Sequence, residues 1–287
     1  MTPDRPPNSS DPDRAATLYL DLLRRCLTRS AFPERWRAYR PKSLFRQTVT
    51  RLARSFTKRP LEVVERRPVD PAARAAGTDW PEEALTMMGE KRLLHLEGCV
   101  RTVVRDGVPG DLLEAGVWRG GGIILMRGAL EALGDRDRTV WAADSFQGLP
   151  PPDAERFPAD RGLDLHEFPY LAVSLEQVRA NVARFGLLDD RVKFLPGWFR
   201  DTLPAAPVER LAILRLDGDL YESTWQALDA LHPRVSPGGF VVVDDYHRIE
   251  PCRRATDEWR EAHAIADPIE AIDDDGVFWR RAGGPRP

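Results

Sequence analysis

Two apolar segments that each end abruptly in acidic residues constrain the fold of this chain most. Residues 211–216 are followed by Asp217 and Asp219, and residues 240–243 are followed by Asp244 and Asp245. Apolar runs of this length are typical of strands buried on both faces of a parallel sheet. In an open α/β sheet, ligands bind beyond the carboxyl ends of the strands. The two segments therefore predict four carboxylates at one edge of a sheet, which indicates a hard-cation site and an enzyme.

The composition is that of an ordinary globular protein. Its 287 residues, 42% of them hydrophobic, suffice for one α/β core with a smaller appendage. No stretch approaches ~18 apolar residues and the N-terminus is polar, so we expect no membrane span or signal peptide. The cysteines, which lie far apart without a CxxC pair, favour a reducing cytoplasm over a disulfide framework; they are Cys26, Cys99 and Cys252.

Positive charge is concentrated near the N-terminus. Residues 1–75 carry 17 Lys+Arg against 8 Asp+Glu. The arginines alternate with Leu, Pro and Trp, and no aromatic nucleic-acid motif accompanies them, so we expect a solvated helical appendage and no nucleic-acid partner. The appended helices favour a homo-oligomer, either a dimer or a tetramer.

The pattern along the chain divides it into three parts. We predict a disordered tail at residues 1–14, a helical appendage or lid at 15–105, and a catalytic α/β domain at 106–287. Apolar residues at helical spacing predict helices at 17–29 and 80–104.

The rest of the chain alternates strands and helices and ends in a hairpin. Five βα units followed by a β-hairpin are the pattern of class I methyltransferases, a Rossmann-like, mostly parallel α/β fold, rather than of a dinucleotide-binding domain. The predicted elements are strands at 111–117, 139–144, 192–195, 211–216 and 240–243, helices through Met126 and Leu133 and at 175–185, 224–231 and 254–263, a turn at 236–239, and hairpin strands at 268–272 and 277–281.

Four motifs in order resemble those of a known family. They are EAGVWRGG at 114–121, DSFQGLP at 144–150, LDGDLY at 216–221 and DDY at 244–246. Together they resemble the macrocin O-methyltransferase (TylF-type) family, and LYLDLLRRCLT at 18–28 resembles its N-terminal helix. The resemblance covers most of the chain from about residue 17. It implies an enzyme that uses S-adenosylmethionine and Mg²⁺ to methylate a sugar hydroxyl of a bacterial natural product.

The first two motifs predict the cofactor pocket. A glycine turn between strand and helix, here Gly116 to Gly120, lets the backbone approach a ligand closely. An acid at the end of the second strand, Asp144, can accept hydrogen bonds from ribose hydroxyls, although it could instead cap a helix. The resemblance assigns both motifs, including Ser145, to S-adenosylmethionine, with Glu114 and Asp144 as polar anchors.

Three further residues complete the predicted cofactor site. Trp198 either packs on the adenine or belongs to the core. Met87 either covers the cofactor, as the resemblance implies, or belongs to a helical core. Asp217, at the mouth of the same pocket, is predicted to serve both cofactor and metal.

The last two motifs predict the metal and the base. Asp217, Asp244 and Asp245 supply the hard oxygen ligands that Mg²⁺ prefers. Bound Mg²⁺ would orient an acceptor hydroxyl and lower its pKa. The resemblance makes Asp219 the base that removes the proton. The alternative for Asp219 is a cap of the following helix, and His247 is either a second candidate base, a sugar contact or a structural residue.

Two other functions remain open at this stage. A catechol-type O-methyltransferase would bind two phenolic hydroxyls on the same metal. A non-catalytic S-adenosylmethionine-binding subunit would need none of the four acids. The long stretch at 151–170 predicts part of a lid or acceptor wall, with His166, Glu167 and Tyr170 as candidate sugar contacts.

Overall fold

A seven-stranded mixed sheet forms the centre of the protein. The computed structural model describes residues 12–32, 35–38, 64–68, 70–79 and 82–282. The described strands are β1 (Arg35–Ala38), β2 (Val64–Arg67), β3 (Asp111–Ala115), β4 (Val140–Asp144), β5 (Val192–Pro196), β6 (Leu211–Leu216), β7 (Val235–Val243), β8 (Glu270–Ala271) and β9 (Val277–Arg280).

Helices connect and cover these strands. The described α-helices are α1 (Pro12–Leu27), α2 (Pro71–Ala75), α3 (Glu90–Arg105), α4 (Gly121–Ala132), α5 (Leu175–Arg184), α6 (Phe199–Thr202), α7 (Tyr221–Leu231) and α8 (Glu250–Ala262). Short 3-10 turns lie at Pro158–Asp160, Leu165–Glu167, Pro169–Leu171 and His232–Arg234.

The strand order β5-β4-β3-β6-β7-β9-β8 confirms the predicted fold class. The first five of these strands are parallel, and β9 pairs antiparallel with β7 and β8. All six positions of β6 are buried, as expected for a strand covered on both faces. The chain adds β4 and β5 on one side of β3 and then β6 and β7 on the other side, so the strand order reverses between β3 and β6. That switch point is where ligands bind in open α/β sheets.

The helix predicted at 80–104 begins later than expected. Residues 80 and 81 lie outside the described part, residues 82–89 form turns, and α3 starts at Glu90. The physical reason is a close backbone contact. A Cβ on Gly89 would lie 2.6 Å from the carbonyl oxygen of Ala75 and 2.7 Å from the amide nitrogen of Gly77. Only glycine fits this approach, and Gly89 has an extended backbone as the N-cap of α3.

Two other element predictions also need correction. Residues 236–239 were expected to form a turn but lie within β7, because the Gly238 amide donates to Arg281 and the Arg281 amide donates to Gly239. These bonds continue the sheet past β9. Of the predicted disordered tail, residues 1–11 lie outside the described part, whereas Pro12 already begins α1.

Helices α1 and α3, which precede residue 106, share the core of the sheet. Leu20, Leu23 and Leu27 of α1 belong to the same buried apolar cluster as Leu93 of α3 and Ile123 of α4. The domain division at 105/106 stays a prediction. The oligomer also stays a prediction; α1 exposes the apolar side chains of Leu18, Tyr19 and Leu22. Among the described helices, none is long and apolar enough to cross a membrane.

Candidate active site

The candidate site begins where β3 and β6 end side by side. The Asp217 amide donates to the carbonyl of Ala115 at 2.8 Å. Gly116 has φ +89°, and a Cβ on it would lie 1.8 Å from the Asp217 carbonyl oxygen. Only glycine permits this approach, so the sequence of the turn sets the distance between the two strand ends.

A cavity opens beyond these strand ends. Its volume is about 100 Å³. Seven of the residues predicted for the site line it: Met87, Gly116, Asp144, Ser145, Trp198, Asp217 and Asp219. Four other lining residues lie in the two motifs assigned to the cofactor: Trp118, Gly148, Leu149 and Pro150. Sequence reasoning did not assign the remaining ones, which are Leu171, Phe199, Arg200, Gly218, Glu222, Ser223 and Gln226.

Asp144 holds the glycine turn as well as lining the cavity. Its Oδ2 accepts from the Val117 amide and its Oδ1 from the Phe146 amide, both at 2.8 Å. The Trp118 amide also donates to this carboxylate; because the two oxygens can together accept about four hydrogen bonds, capacity for a ligand hydroxyl remains. Ser145 donates through its hydroxyl to the carbonyl of Gly148 at 2.6 Å and fixes the next turn.

The three predicted metal ligands lie close together. Asp217, Asp244 and Asp245 each place a carboxylate oxygen within 4.8 Å of the other two. Asp244 and Asp245 are buried, and Asp245 Oδ2 has no hydrogen-bond partner among the described residues. A set of oxygen donors with an unpartnered buried oxygen fits Mg²⁺ and does not fit a metal that prefers sulfur or imidazole.

The charges of the cluster also favour a cation. Burial, and then the charges of Asp219 and Asp217, raise the pKa of Asp245 well above its usual range. Burial alone would raise the pKa of Asp244 too, but Arg215 and Arg92 hold it below its ordinary value. The cluster thus carries repulsion that a divalent ion would relieve.

Two buried arginines organise Asp244. Arg215 Nη2 lies 2.6 Å from Asp244 Oδ1, and Arg92 Nη1 lies 2.5 Å from Asp244 Oδ2. Arg215 Nη1 also pairs with Asp217 at 3.0 Å and with Glu114 at 2.6 Å. A charged residue inside the apolar run of β6 was a sequence signal for Arg215. No local pattern pointed to Arg92, which α3 brings to the site.

Replacing Arg215 by methionine is expected to lower the free energy of unfolding by about 3–5 kcal/mol, because Glu114 and Asp217 lose this counterion and Asp244 loses one of its two arginines. Urea unfolding measures this loss. Mg²⁺ should then stabilise the variant more than the wild type, because the cluster is more negative. The matched control is Arg127→Met: Arg127 is equally buried but pairs with Asp189 and Glu131. It should lose stability without gaining a response to Mg²⁺; equal Mg²⁺ responses of both variants would contradict the account.

Asp219 faces the cavity from the loop between β6 and α7. Its φ of +57° is rare for a residue other than glycine. Burial, and then the charges of Asp217 and Asp244, raise its pKa to about 8. The alternative role predicted for it, the cap of α7, belongs to another residue, because Asp160 accepts from the Tyr221 and Glu222 amides. Asp219 therefore stays available to a ligand.

Besides Asp244 and Asp245 of the acid cluster, three predicted site residues lie away from the cavity lining. Glu114 is buried against Arg215, and a Cβ on Gly122 would lie 2.2 Å from its Oε1. Burial raises the pKa of Glu114 to about 8. Gly120, with φ +85°, forms the N-cap of α4. His247 is exposed beside Tyr246 in a separate surface depression, so the structure does not bring it together with Asp219 in the cavity.

The predicted acceptor wall is part of the long connection between β4 and α5. Leu149, Pro150 and Leu171 from this connection line the cavity. The Trp118 indole, itself in the lining, donates to the Tyr170 carbonyl at 2.8 Å. Tyr170 is exposed and packs beside Phe168, and His166 and Glu167 lie in the 3-10 turn Leu165–Glu167. Their contact with a sugar stays a prediction.

Comparison with known proteins places this geometry in a family. A family model of macrocin-O-methyltransferases (TylF) matches residues 16–281. The 8-demethyl-8-(2,3-dimethoxy-alpha-L-rhamnosyl)-tetracenomycin-C 4'-O-methyltransferase of Streptomyces olivaceus is 59% identical over 212 residues, covering 74% of this chain and 81% of that protein. The mycinamicin III 3''-O-methyltransferase of Micromonospora griseorubida is 47% identical over 274 residues, covering 94% and 99%.

A solved structure supports the same assignment. The O-methyltransferase NovP superposes with a TM-score of 0.81 at 46% sequence identity, covering 93% of this chain and 100% of that one. The calicheamicin methyltransferase CalS11 superposes with a TM-score of 0.54 at 21% identity and shares the fold.

Proposed function

Since the chain belongs to the macrocin-O-methyltransferase (TylF) family, we propose that it is a Mg²⁺-dependent enzyme that transfers a methyl group from S-adenosylmethionine to a sugar hydroxyl of a natural-product glycoside. The observation that carries this proposal is the convergence of Asp217 and Asp219 with Gly116 and Asp144 in one cavity. A proposed metal ligand, the proposed base and the proposed methyl-donor pocket therefore line the same cavity.

S-adenosylmethionine would supply a methyl carbon bonded to a positively charged sulfur; when an oxygen attacks that carbon in line, the carbon–sulfur bond breaks and the sulfur leaves as a neutral thioether. In the proposed pocket the glycine turn at Gly116 would pass along the donor, and Asp144 would accept from its ribose hydroxyls. Trp198 and Met87, which line the same cavity, would pack on its apolar parts. Glu114 would not touch the donor in this scheme, since its carboxyl pairs with Arg215 and does not line the cavity.

Mg²⁺, when bound, supplies a Lewis acid that orients a sugar hydroxyl and lowers its pKa. Asp217, Asp244 and Asp245 would hold it. Asp219 would accept the hydroxyl proton on its carboxylate as the oxygen attacks the methyl carbon. Without a cation, burial and the charges of Asp217 and Asp244 raise its pKa to about 8, and a cation beside Asp217 would lower that pKa and favour the ionised form that can accept a proton. The cavity walls would hold donor and acceptor in line.

The proposed acceptor is a glycoside because two relatives carry names of that kind. One is named for a rhamnosyl-tetracenomycin and the other for mycinamicin III, with methylation at the 4' and 3'' oxygens. A sugar with two neighbouring hydroxyls would suit a metal that keeps open coordination positions.

The test is transfer of a labelled methyl group in the presence of Mg²⁺ to a panel of deoxysugar glycosides, with catechols as the comparison acceptors. We expect a methyl ether on a sugar oxygen of at least one glycoside, located by NMR. Turnover of catechols alone would reassign the enzyme to the catechol class. Cofactor binding without turnover of any hydroxyl acceptor would support a non-catalytic subunit.

A further inference from the structure

One buried carboxylate binds the connection at residues 145–174 to the start of α7, next to the loop that carries Asp219. It is far longer than the ~4–6 residues of ordinary connections, and loops above ~12–15 residues are commonly functional. Its two ends contribute Leu149 and Leu171 to the cavity. Midway between them lies Asp160, in the 3-10 turn Pro158–Asp160, with 0% of its surface exposed.

Asp160 caps α7 from a distant part of the chain. Its Oδ1 accepts from the Tyr221 amide at 2.6 Å, across 61 residues of sequence, and its Oδ2 accepts from the Glu222 amide at 3.0 Å. Helices normally take this cap from the residue just before them, a Ser, Thr, Asp or Asn. Leu220 stands at that position and makes no side-chain cap bond. The loop therefore supplies what the helix's own sequence lacks.

The capped end of α7 is continuous with the proposed base. Asp219 lies two residues before α7, in the left-handed backbone region, and the Leu220 amide donates to the Gly218 carbonyl at 2.6 Å. A backbone held there persists only when its surroundings determine it. Glu222, whose amide Asp160 binds, also lines the cavity.

A second contact runs beside the cap. The rings of Phe157 and Tyr221 lie 6.2 Å apart, so the loop also packs on the first residue of α7. At the other end of the loop, Trp118 holds the Tyr170 carbonyl. The cap and the ring contact join this connection to the start of α7, next to the loop that carries the proposed base. The indole bond joins the same connection to Trp118 in the cavity wall.

We infer that Asp160 is a positioning residue for methyl transfer, which holds Asp219 and the acceptor wall at fixed positions relative to each other. It touches no substrate in this scheme and acts through the start of α7. This inference rests on the proposed function for its effect on rate, whereas its effect on the loop is independent of any activity.

The test compares Asp160→Ala and Asp160→Asn with the control Asp153→Ala. Asp153 lies in the same loop and accepts from the Arg156 amide at 3.1 Å, but it is exposed. The asparagine variant can keep the bond to one amide and lose the other. Rates are expressed per molecule of bound S-adenosylmethionine, so that a partly unfolded variant does not appear as a slow one.

We expect kcat of Asp160→Ala to fall by about 100-fold, since misplacing a reacting group by about 1 Å has an effect of that order. The kcat of Asp160→Asn should lie between those of Asp160→Ala and the wild type, and the kcat of Asp153→Ala should match that of the wild type. The KM for S-adenosylmethionine should stay near the wild-type value. An unchanged kcat in Asp160→Ala, or an equal loss in Asp153→Ala, would overturn the inference.

Hydrogen exchange separates this inference from the proposed function. In Asp160→Ala, amides at 145–174 and at 218–222 should exchange faster, and those of α5 should not change. If the wild type methylates no glycoside, the proposed function fails while this readout still tests the link. Unchanged exchange at both segments would overturn the link whatever the activity.

Discussion

Replacing Asp219 by asparagine is expected to lower kcat by about 10²–10⁴-fold, the contribution of a positioned general base. The amide has nearly the same shape as the carboxylate but cannot accept the hydroxyl proton. Asp219 makes neither the α7 cap nor one of the ion pairs to Arg215, so the fold should be unaffected. Steady-state kinetics, with calorimetric titration of S-adenosylmethionine and Mg²⁺, separate the loss of rate from any loss of binding.

The matched control is Asp201→Asn. Asp201 belongs to α6, which begins beside the cavity, but its side chain is 64% exposed and, among the described residues, pairs with Arg200 alone. Its variant should keep the wild-type rate. If Asp219→Asn also kept that rate, the base would lie elsewhere, and His247→Gln would become the next variant to measure despite the position of His247 outside the cavity.

Replacing Asp217 or Asp245 by asparagine is expected to remove the response of the rate to Mg²⁺. The loss should be at least about 100-fold, because a bound metal contributes several kcal/mol of charge stabilisation. Both side chains belong to the three-acid cluster, and the unpartnered Oδ2 of Asp245 has no other role among the described residues. Affinity for S-adenosylmethionine should stay near the wild-type value for Asp245→Asn, measured by calorimetry.

Asp244→Asn serves as the internal comparison. Both oxygens of Asp244 lie in ion pairs with buried arginines, so this variant should lose folding stability as well as the Mg²⁺ response. Asp245→Asn should lose the Mg²⁺ response with little change in the urea midpoint. Wild-type rates for Asp217→Asn or Asp245→Asn in the presence of EDTA would refute the metal site.

The sequence predicted the sheet and the acid cluster because both depend on local patterns. Buried parallel strands appear as unbroken apolar runs, and a residue that follows such a run must lie at the carboxyl edge of the sheet. The sequence alone was therefore sufficient to place Asp217 and Asp244 near each other. Gly116 could be placed in the turn for the same reason.

What the sequence did not reveal depends on pairs of residues far apart in the chain. Asp160 caps a helix 61 residues away, and nothing near it in the sequence indicates that partner. Arg92 reaches Asp244 across 152 residues. The start of α3 was misplaced because the contact between Gly89 and the backbone near Ala75 overrides a good helical pattern. Glycines 238 and 239 indicated a turn, but strand pairing with Arg281 prevailed.

The most direct test of the account is a Mg²⁺ titration of the metal-stripped wild-type protein with S-adenosylmethionine and an accepted glycoside. We predict no methyl transfer above background in EDTA, a rate that rises to saturation as Mg²⁺ is added, and a methyl ether on a sugar oxygen. Saturation should be lost in Asp245→Asn. The same rate of sugar methylation with EDTA as with Mg²⁺ would contradict the central claim that Asp217, Asp244 and Asp245 form a catalytic metal site.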